Sequence, residues 1–278
     1  METKIRPMQW SDLDAVGQLR PEGWGDILPP IIFYLNDPAC MTFVAERADR
    51  IIGVANGTDW GQTGWVGPII VDASSRGQGL GSLLTKTIME GLQAKGCRTL
   101  LLIATEFGKP VYEKLGFIGD SRYCFLKAEQ QADFEAYSGS IPLRAAHPSD
   151  LPMLSELDQR AAGERRISVL EKLLQNNGGW VVPREDGSGI RGYYLHGAPW
   201  GSGPIVAEDE EAGCRLLQQA FVVEKHLSAG VSEHNHKAIE YLQRIGFTIV
   251  TYADRMVLGE HPVWHPDMIY SRISGSLG

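Results

Sequence analysis

Apolar and polar positions follow two periods along the first half of the chain. Short runs rich in β-branched and apolar residues at 4–7, 41–47, 51–58, 66–71 and 98–104 predict strands. Residues 48–50 read as the turn between the second and third of these. Elsewhere the period is helical. Leu80, Leu83, Leu84, Ile88 and Leu92 recur at spacings of three and four, predicting a helix to about Lys95 with Gly96 as its cap. Ser11 reads as the N-cap of an earlier helix, with Asp12 and Asp14 in its first turn and Leu13, Val16 and Leu19 on its apolar side. Between that helix and the second strand, Gly23, Gly25, Pro29 and Pro30 interrupt the pattern. A short helix over 108–116 and a strand over 117–127 complete this half. Residues 128–140 turn polar and end in Ser-Gly-Ser, which reads as a linker.

Beyond the linker the pattern starts again. Ile5-Arg6 and Ser11-Asp12-Leu13 recur as Leu143-Arg144 and Ser149-Asp150-Leu151. Gly67-Pro68-Ile69 recurs as Gly203-Pro204-Ile205, and Gly116-Phe117 as Gly246-Phe247. Three landmarks in one order, at slowly drifting offsets, predict a second copy of the same fold. The chain therefore divides into a first domain at 1–127, a linker at 128–140 and a second domain at 141–278.

The most informative stretch joins a strand end to a helix start. Ile69, Ile70 and Val71 are followed by Arg76, Gly77, Gln78, Gly79, Leu80, Gly81 and Ser82. A helix start carries unpaired N–H groups and partial positive charge. Glycines let a ligand approach them, so the turn can cradle a phosphate or pyrophosphate. The spacing G-x-G-x-G is neither the Rossmann fingerprint nor a Walker A loop. A second motif, Pro110 to Phe117 (PVYEKLGF), follows some thirty residues later.

Together these two motifs resemble the GNAT superfamily of acyl-CoA-dependent N-acyltransferases, over roughly residues 4–127. The resemblance implies an α/β fold of the α+β mixed-sheet kind. Each of two tandem GNAT-like domains would be a mostly antiparallel, twisted sheet with a splayed central parallel pair and flanking helices. It implies that the glycine turn holds the pyrophosphate of acetyl-CoA. The strand end at Ile69 to Val71 would bind the pantetheine arm, Thr105 would also bind the cofactor, and backbone N–H near Ile70 and Val71 would stabilise the oxyanion. Tyr112 would protonate the departing thiolate. The base is open among Glu106, Asp59, Glu46, Asp26 and a water chain; Glu106 leads because it follows the strand lining the cleft. The loop between the first two helices would line the acceptor pocket. Trp24 and Tyr34 are candidate walls there and Asp26 a candidate partner for an ammonium, although Trp24 could equally pack the loop onto the core.

The second copy differs where this chemistry would sit. Glu208, Asp209, Glu210 and Glu211 stand near its expected helix start, and Leu242 takes the place of Tyr112. Carboxylates repel a pyrophosphate and leucine has no proton to give, so the second domain reads as degenerate. Asn235 there, and Thr105 in the first copy, fall where the family often has asparagine. The charged run Asp158, Gly163, Glu164, Arg165 and Arg166 reads as a solvated helix connection; the alternative sends Asp158 or Arg165 into the first domain's acceptor pocket. His234 with His236 and His261 with His265 lack clustered partners, so no metal is expected. The stretch 264–270 is apolar enough to pack back onto a domain.

Composition narrows the function further. Hydrophobic residues make up 43% and charged residues 22% of 278, which suits a folded chain of about two domains. The formal net charge of −8 argues against a nucleic-acid surface. Four separated cysteines predict reduced thiols and a cytoplasmic protein. Residues 1–10 lack an apolar signal core, and no run approaches a membrane span. The expectation is an acetyl-CoA-dependent N-acetyltransferase acting on a primary amine of a small molecule, as a monomer or homodimer. A protein or peptide acceptor, or a non-catalytic acyl-CoA-binding role, are the alternatives.

Overall fold

A computed structural model of the chain describes residues 2–129, 141–224 and 228–278. Of the linker expected at 128–140, all but Ala128 and Glu129 lie outside the described residues. The chain forms two compact units that do not follow chain order. Unit 1 comprises Met1–Asp120, Arg255–His261 and Gly275–Leu277; unit 2 comprises Ser121–Asp254, Pro262–Ser274 and Gly278.

Unit 1 opens with β1 (Lys4–Pro7), α1 (Leu13–Gly17) and α2 (Leu28–Leu35). The sheet then builds through β2 (Cys40–Arg47), β3 (Arg50–Asp59) and β4 (Thr63–Val71). Next come α3 (Leu80–Ala94), β5 (Thr99–Ala104), α4 (Lys109–Lys114) and the start of β6 (Ile118–Lys127). Strands β1 to β4 pair antiparallel in sequence order, and β4 pairs with β5 in parallel. The strand beyond β5 is not the next one in sequence but residues 255–258.

The first helix starts earlier than Ser11 suggests. A single 3-10 turn at Trp10–Asp12 precedes α1, and Asp12 closes it by accepting from Gln9 N at 2.8 Å. Asp12 also takes a bidentate pair from Arg6, at 2.7 and 2.9 Å, whose hydrogen bonds hold its carboxyl below the usual range. Pro29 and Pro30, read as breakers, lie in the first turn of α2, where a missing N–H costs nothing. Helix α3 buries Leu80, Leu84, Ile88 and Leu92 against β3 and β4. Each is worth about 1.5–3 kcal/mol of burial. Leu83, expected on that face, is instead 43% exposed, because the stripe follows strict i, i+4 spacing. Gly53, Gly57 and Gly64 leave room for α3; a Cβ on Gly57 would come within 2.6 Å of Ile88.

Unit 2 contains β7 (Arg144–Ala145), α5 (Leu151–Ala162), α6 (Ile167–Asn177), β8 (Gly179–Pro183), β9 (Ile190–Leu195) and β10 (Ile205–Ala207). Helix α7 (Glu210–Glu224), β11 (Ser228–Ser232), α8 (His236–Arg244), β12 (Thr248–Leu258) and β13 (Ile269–Ser271) follow. The repeat seen in the sequence is a repeat of bonds. Arg144 and Asp150 form the same bidentate pair at 2.7 and 2.8 Å, and His147 N donates to Asp150 at 2.7 Å. Phe117 N donates to Tyr112 O at 3.1 Å, and Phe247 N to Leu242 O at 3.0 Å. Gly116 and Gly246 turn at matching φ values of 92° and 97°.

After those matched turns the two copies exchange strands. Strand β6 runs on from unit 1 into unit 2 and pairs antiparallel with β11, from Tyr123 with Ser232 to Lys127 with Ser228. Strand β12 ends in unit 1, where Met256 is fully buried with Leu100, Leu102 and Phe117. The sequence reading, which keeps each final strand with its own copy, carries no signal for this exchange. Both strands carry apolar residues in their second halves, and nothing in either names the sheet it joins.

Candidate active site

The site begins where β4 and β5 part. On β3 two steps lead from Ala55 to Gly57, while β4 takes three from Ile69 back to Val66. The extra residue of β4 is a bulge, which bends a strand. Asn56 sits fully buried beside it and fills the broken ladder; its amide donates to Gly67 O at 3.3 Å and Thr58 Oγ1 at 3.2 Å, and accepts from Thr42 at 3.0 Å. The parallel ladder then covers only residues 63–65 of β4 and 99–101 of β5. Past it the strands continue unpaired with each other, so along Ile69, Ile70 and Val71 the β4 edge makes no ladder bonds to β5.

The glycine turn lies at the open end of that fork. Gly77 and Gly79 have φ of 72° and 79°, a left-handed region that favours glycine. Gly79 is the N-cap of α3, so the N–H groups of Leu80, Gly81 and Ser82 have no partner within the helix. No atom lies within 4 Å of a Cβ built on Gly77 or Gly79, and only Val71 approaches one on Gly81, at 4.0 Å. The turn is thus open in front of its N–H groups, as a pyrophosphate requires. Gln78 braces it by accepting from Arg47 at 2.9 Å and donating to Ser74 O at 3.3 Å. Arg76 Nε folds back to Val71 O at 3.2 Å. Asp72 starts the turn by accepting from Ser74 N at 3.0 Å; donation from Ser74, with Arg50 and Arg76 nearby, holds its carboxyl below the usual range. Asp72 and Arg47 are absent from the sequence reading, although an Asp two residues before a Ser is a recognised turn signal.

Tyr112 stands on α4. Its ring meets Phe117 edge-on at 6.1 Å and packs against Gly108, where a Cβ would lie 2.9 Å from the ring. Burial pushes its hydroxyl up to about 12, so it stays protonated at any ordinary pH. Thr105 directly follows β5, and its hydroxyl accepts at 3.2 Å from the N–H of Gly108, the residue before α4. Glu106 is exposed on the turn that follows. The fork, the glycine turn, Thr105, Glu106 and Tyr112 therefore share unit 1.

Other expected residues are placed elsewhere. Asp26 spends one carboxylate oxygen on Leu28 N at 3.0 Å, at the entry to α2, and Trp24 is 45% exposed just before it. Tyr34 is only 3% exposed, edge-on to Phe33, and belongs to the core rather than to a pocket wall. Of the other possible bases, Glu46 is paired with Arg6 at 2.6 Å, and Asp59 accepts from Gly61 N at 2.7 Å. Asp158 is a correction. It is fully buried in unit 2, where both its oxygens bond Arg166, at 2.9 and 2.7 Å, and one also accepts from Tyr193. With no surface exposed, it meets no substrate. Burial opposes the charge on Arg166, but the facing Asp158 outweighs it and raises the guanidinium pKa. The run around it is not a solvated connection either, since Glu164 and Arg166 are buried.

In unit 2 the equivalent site is shut. Glu208 is bonded by Arg160 and Arg184. Asp209 takes Arg191 at 3.0 and 2.9 Å and caps α7 by accepting from Ala212 N at 3.0 Å. Strand β13 pairs antiparallel with β10 and packs against β11, so it fills the fork that stays open in unit 1. Tyr270 lies directly over Gly213, where a Cβ would come within 2.1 Å of the ring. Asn235 is an N-cap, accepting from Ala238 N at 3.0 Å. Among the described residues no group of three His, Cys, Asp or Glu could hold a metal, and no helix is long and apolar enough to cross a membrane.

Known proteins match both halves. Residues 6–117 fit the model of the acetyltransferase (GNAT) family, and residues 154–271 that of a second acetyltransferase (GNAT) domain. A glucosamine 6-phosphate N-acetyltransferase of Trypanosoma brucei brucei is 41% identical over 59 residues, 21% of this chain and 40% of the relative. A crystal structure of a candidate acetyltransferase from Pyrococcus horikoshii superposes with a TM-score of 0.85 at 19% identity, covering 99% of this chain and 96% of the other. A GCN5-related N-acetyltransferase from Kribbella flavida gives a TM-score of 0.59 at 20% identity, over 93% and 72% of the two chains. At such identities these structures speak for the fold. With two family matches laid over two units of one architecture, the chain belongs to the GNAT family of N-acetyltransferases and carries two such domains in tandem.

Proposed function

We propose that unit 1 transfers an acetyl group from acetyl-CoA to a primary amine of a small molecule, and that unit 2 binds no acyl-CoA. The observation that carries this reading is the open glycine turn at the start of α3, set at the mouth of a fork whose β4 edge is unpaired with β5. Acetyl-CoA supplies the acetyl group as an activated thioester. The backbone of residues 77–82 would hold its pyrophosphate, and the β4 edge along Ile69, Ile70 and Val71 would hold its arm. A fixed N–H on that edge, aimed at a developing oxyanion, contributes on the order of 3 kcal/mol. Tyr112 holds a proton at its Oη for the leaving sulfur, a role worth roughly 10²–10⁴ in rate. Glu106 is the leading group to take the amine's proton, directly or through water.

The test is turnover of an amine panel with acetyl-CoA, read as released thiol. Amino sugars head the panel because the Trypanosoma relative bears the name of an amino-sugar phosphate acetyltransferase. Gly81→Asp is the decisive variant. Gly81 has a helical backbone with room for a Cβ, and a carboxylate in a first helical turn stabilises the helix. The variant should fold normally, yet weaken acetyl-CoA binding at least tenfold. Unchanged affinity, or two bound equivalents per wild-type chain, refutes the reading.

A further inference from the structure

The acceptor must meet the thioester where the fork closes. Working back along β4 from Val71, beside the glycine turn, to Gly67 covers about 13 Å at strand spacing. Gly67 follows shortly after Trp65, the last β4 residue paired to β5. The reacting carbon therefore belongs near this crotch, and whatever lines it limits what can attack.

One face of the crotch is already taken. Gly64 and Val66 face α3: Leu92 crowds Gly64, and Val66 belongs to the core around Leu84 and Ile88. Tyr112 packs into that same core. Trp65 alternates with them and faces the other side; at Gly67, inside the bulge, the neighbour of a built Cβ gives the direction. The nearest group to a Cβ on Gly67 is Ser276 Oγ, at 3.9 Å. Leu277 next to it is fully buried, and its carbonyl accepts from Trp60 Nε1 at 3.2 Å. Residues Gly275–Leu277 belong to unit 1, although they lie some two hundred residues from β4 in sequence.

We infer that Ser276, backed by the fully buried Leu277, forms the wall of the acceptor site opposite Tyr112, and that this segment restricts the acceptor to compact amines. This rests on the function proposed above and adds the residues that set acceptor size. With the cofactor and the acid on the α3 face, the amine approaches from the other face, where this segment stands beside Gly67. A polypeptide lysine, which needs an open groove on that face, is excluded.

The test uses the full chain and two substitutions of opposite sign, with 2-aminoethanol, glucosamine, phenethylamine and a lysine hexapeptide as acceptors. Ser276→Phe narrows the crotch and should lower kcat/KM for glucosamine at least tenfold relative to 2-aminoethanol. Leu277→Ala widens it and should raise phenethylamine relative to 2-aminoethanol by a similar factor. Acetyl-CoA affinity, measured by calorimetry, should stay within twofold in both. A second readout needs no turnover: an amine that binds should slow hydrogen exchange in the peptide covering Gly275–Leu277. Unchanged acceptor ranking in both variants of an active enzyme, or unaltered exchange with amine bound, overturns the wall. Failure of the unmodified chain to release thiol with any amine overturns the parent reading and this one with it.

Discussion

Met256→Ala tests the strand exchange without needing a substrate. Met256 lies in the second sequence copy, yet its side chain is fully buried among Leu100, Leu102 and Phe117 of unit 1. Truncating a buried methionine costs about 2–5 kcal/mol, and flexible neighbours recover part of it, so about 3 kcal/mol is expected. That corresponds to roughly a 150-fold rise in the population of the opened unit. Hydrogen exchange with mass spectrometry reads it directly. Peptides covering β4 and β5 should exchange faster by about that factor, while those covering β8 and β9 should change far less. The reciprocal variant is Leu126→Ala. It comes from the first sequence copy but lies in the core of unit 2, at 1% exposure. It should loosen β9 and β10 and spare β4. If each variant instead loosens the unit nearest in sequence, the exchange is refuted.

Two further outcomes concern Tyr112 and Asp158. Tyr112→Phe keeps the packing on Phe117 and Gly108 but removes the proton; kcat should fall by about 10²-fold or more with acetyl-CoA affinity nearly unchanged. Because burial lifts the Tyr112 hydroxyl to about 12, it stays neutral as pH rises through 10, and any alkaline fall in wild-type activity below 12 should persist in the variant. Asp158→Ala should destabilise unit 2 by about 3–5 kcal/mol, seen as a lower denaturation midpoint, because it strands the buried guanidinium of Arg166.

The catalytic frame was legible in sequence because its parts are local. A strand end, three glycines and a helix stripe follow one another directly between Ile69 and Leu92, and each has a period or a φ requirement that shows in the residue types. The duplication was legible because paired landmarks such as Arg6 with Asp12 and Arg144 with Asp150 encode the same short bonds. What escaped is long-range. Nothing in 248–258 distinguishes the sheet it joins, since burial fixes which face of a strand is apolar but not which neighbour it takes. Asp158 looked like a surface carboxylate because its partners Arg166 and Tyr193 come from other elements. Ser276 and Leu277 are small and apolar residues without chemical signature, and only their place beside Gly67 gives them meaning.

The crossing of β6 and β12 also bears on how the protein is made. A chain growing on the ribosome cannot finish unit 1 when residue 120 emerges, because its sheet still lacks residues 255–258. At 5–20 residues per second the missing strand arrives roughly 7–30 s later. Until then the edge of β5 stands open, and an open edge is a template for pairing with another chain. The nascent first half thus has reason to need a chaperone or a slow approach to its final state. Cutting the gene within 130–140 would give two fragments that each hold the other's last strand. Neither should fold well when expressed alone, and the two expressed together should reconstitute acetyl-CoA binding.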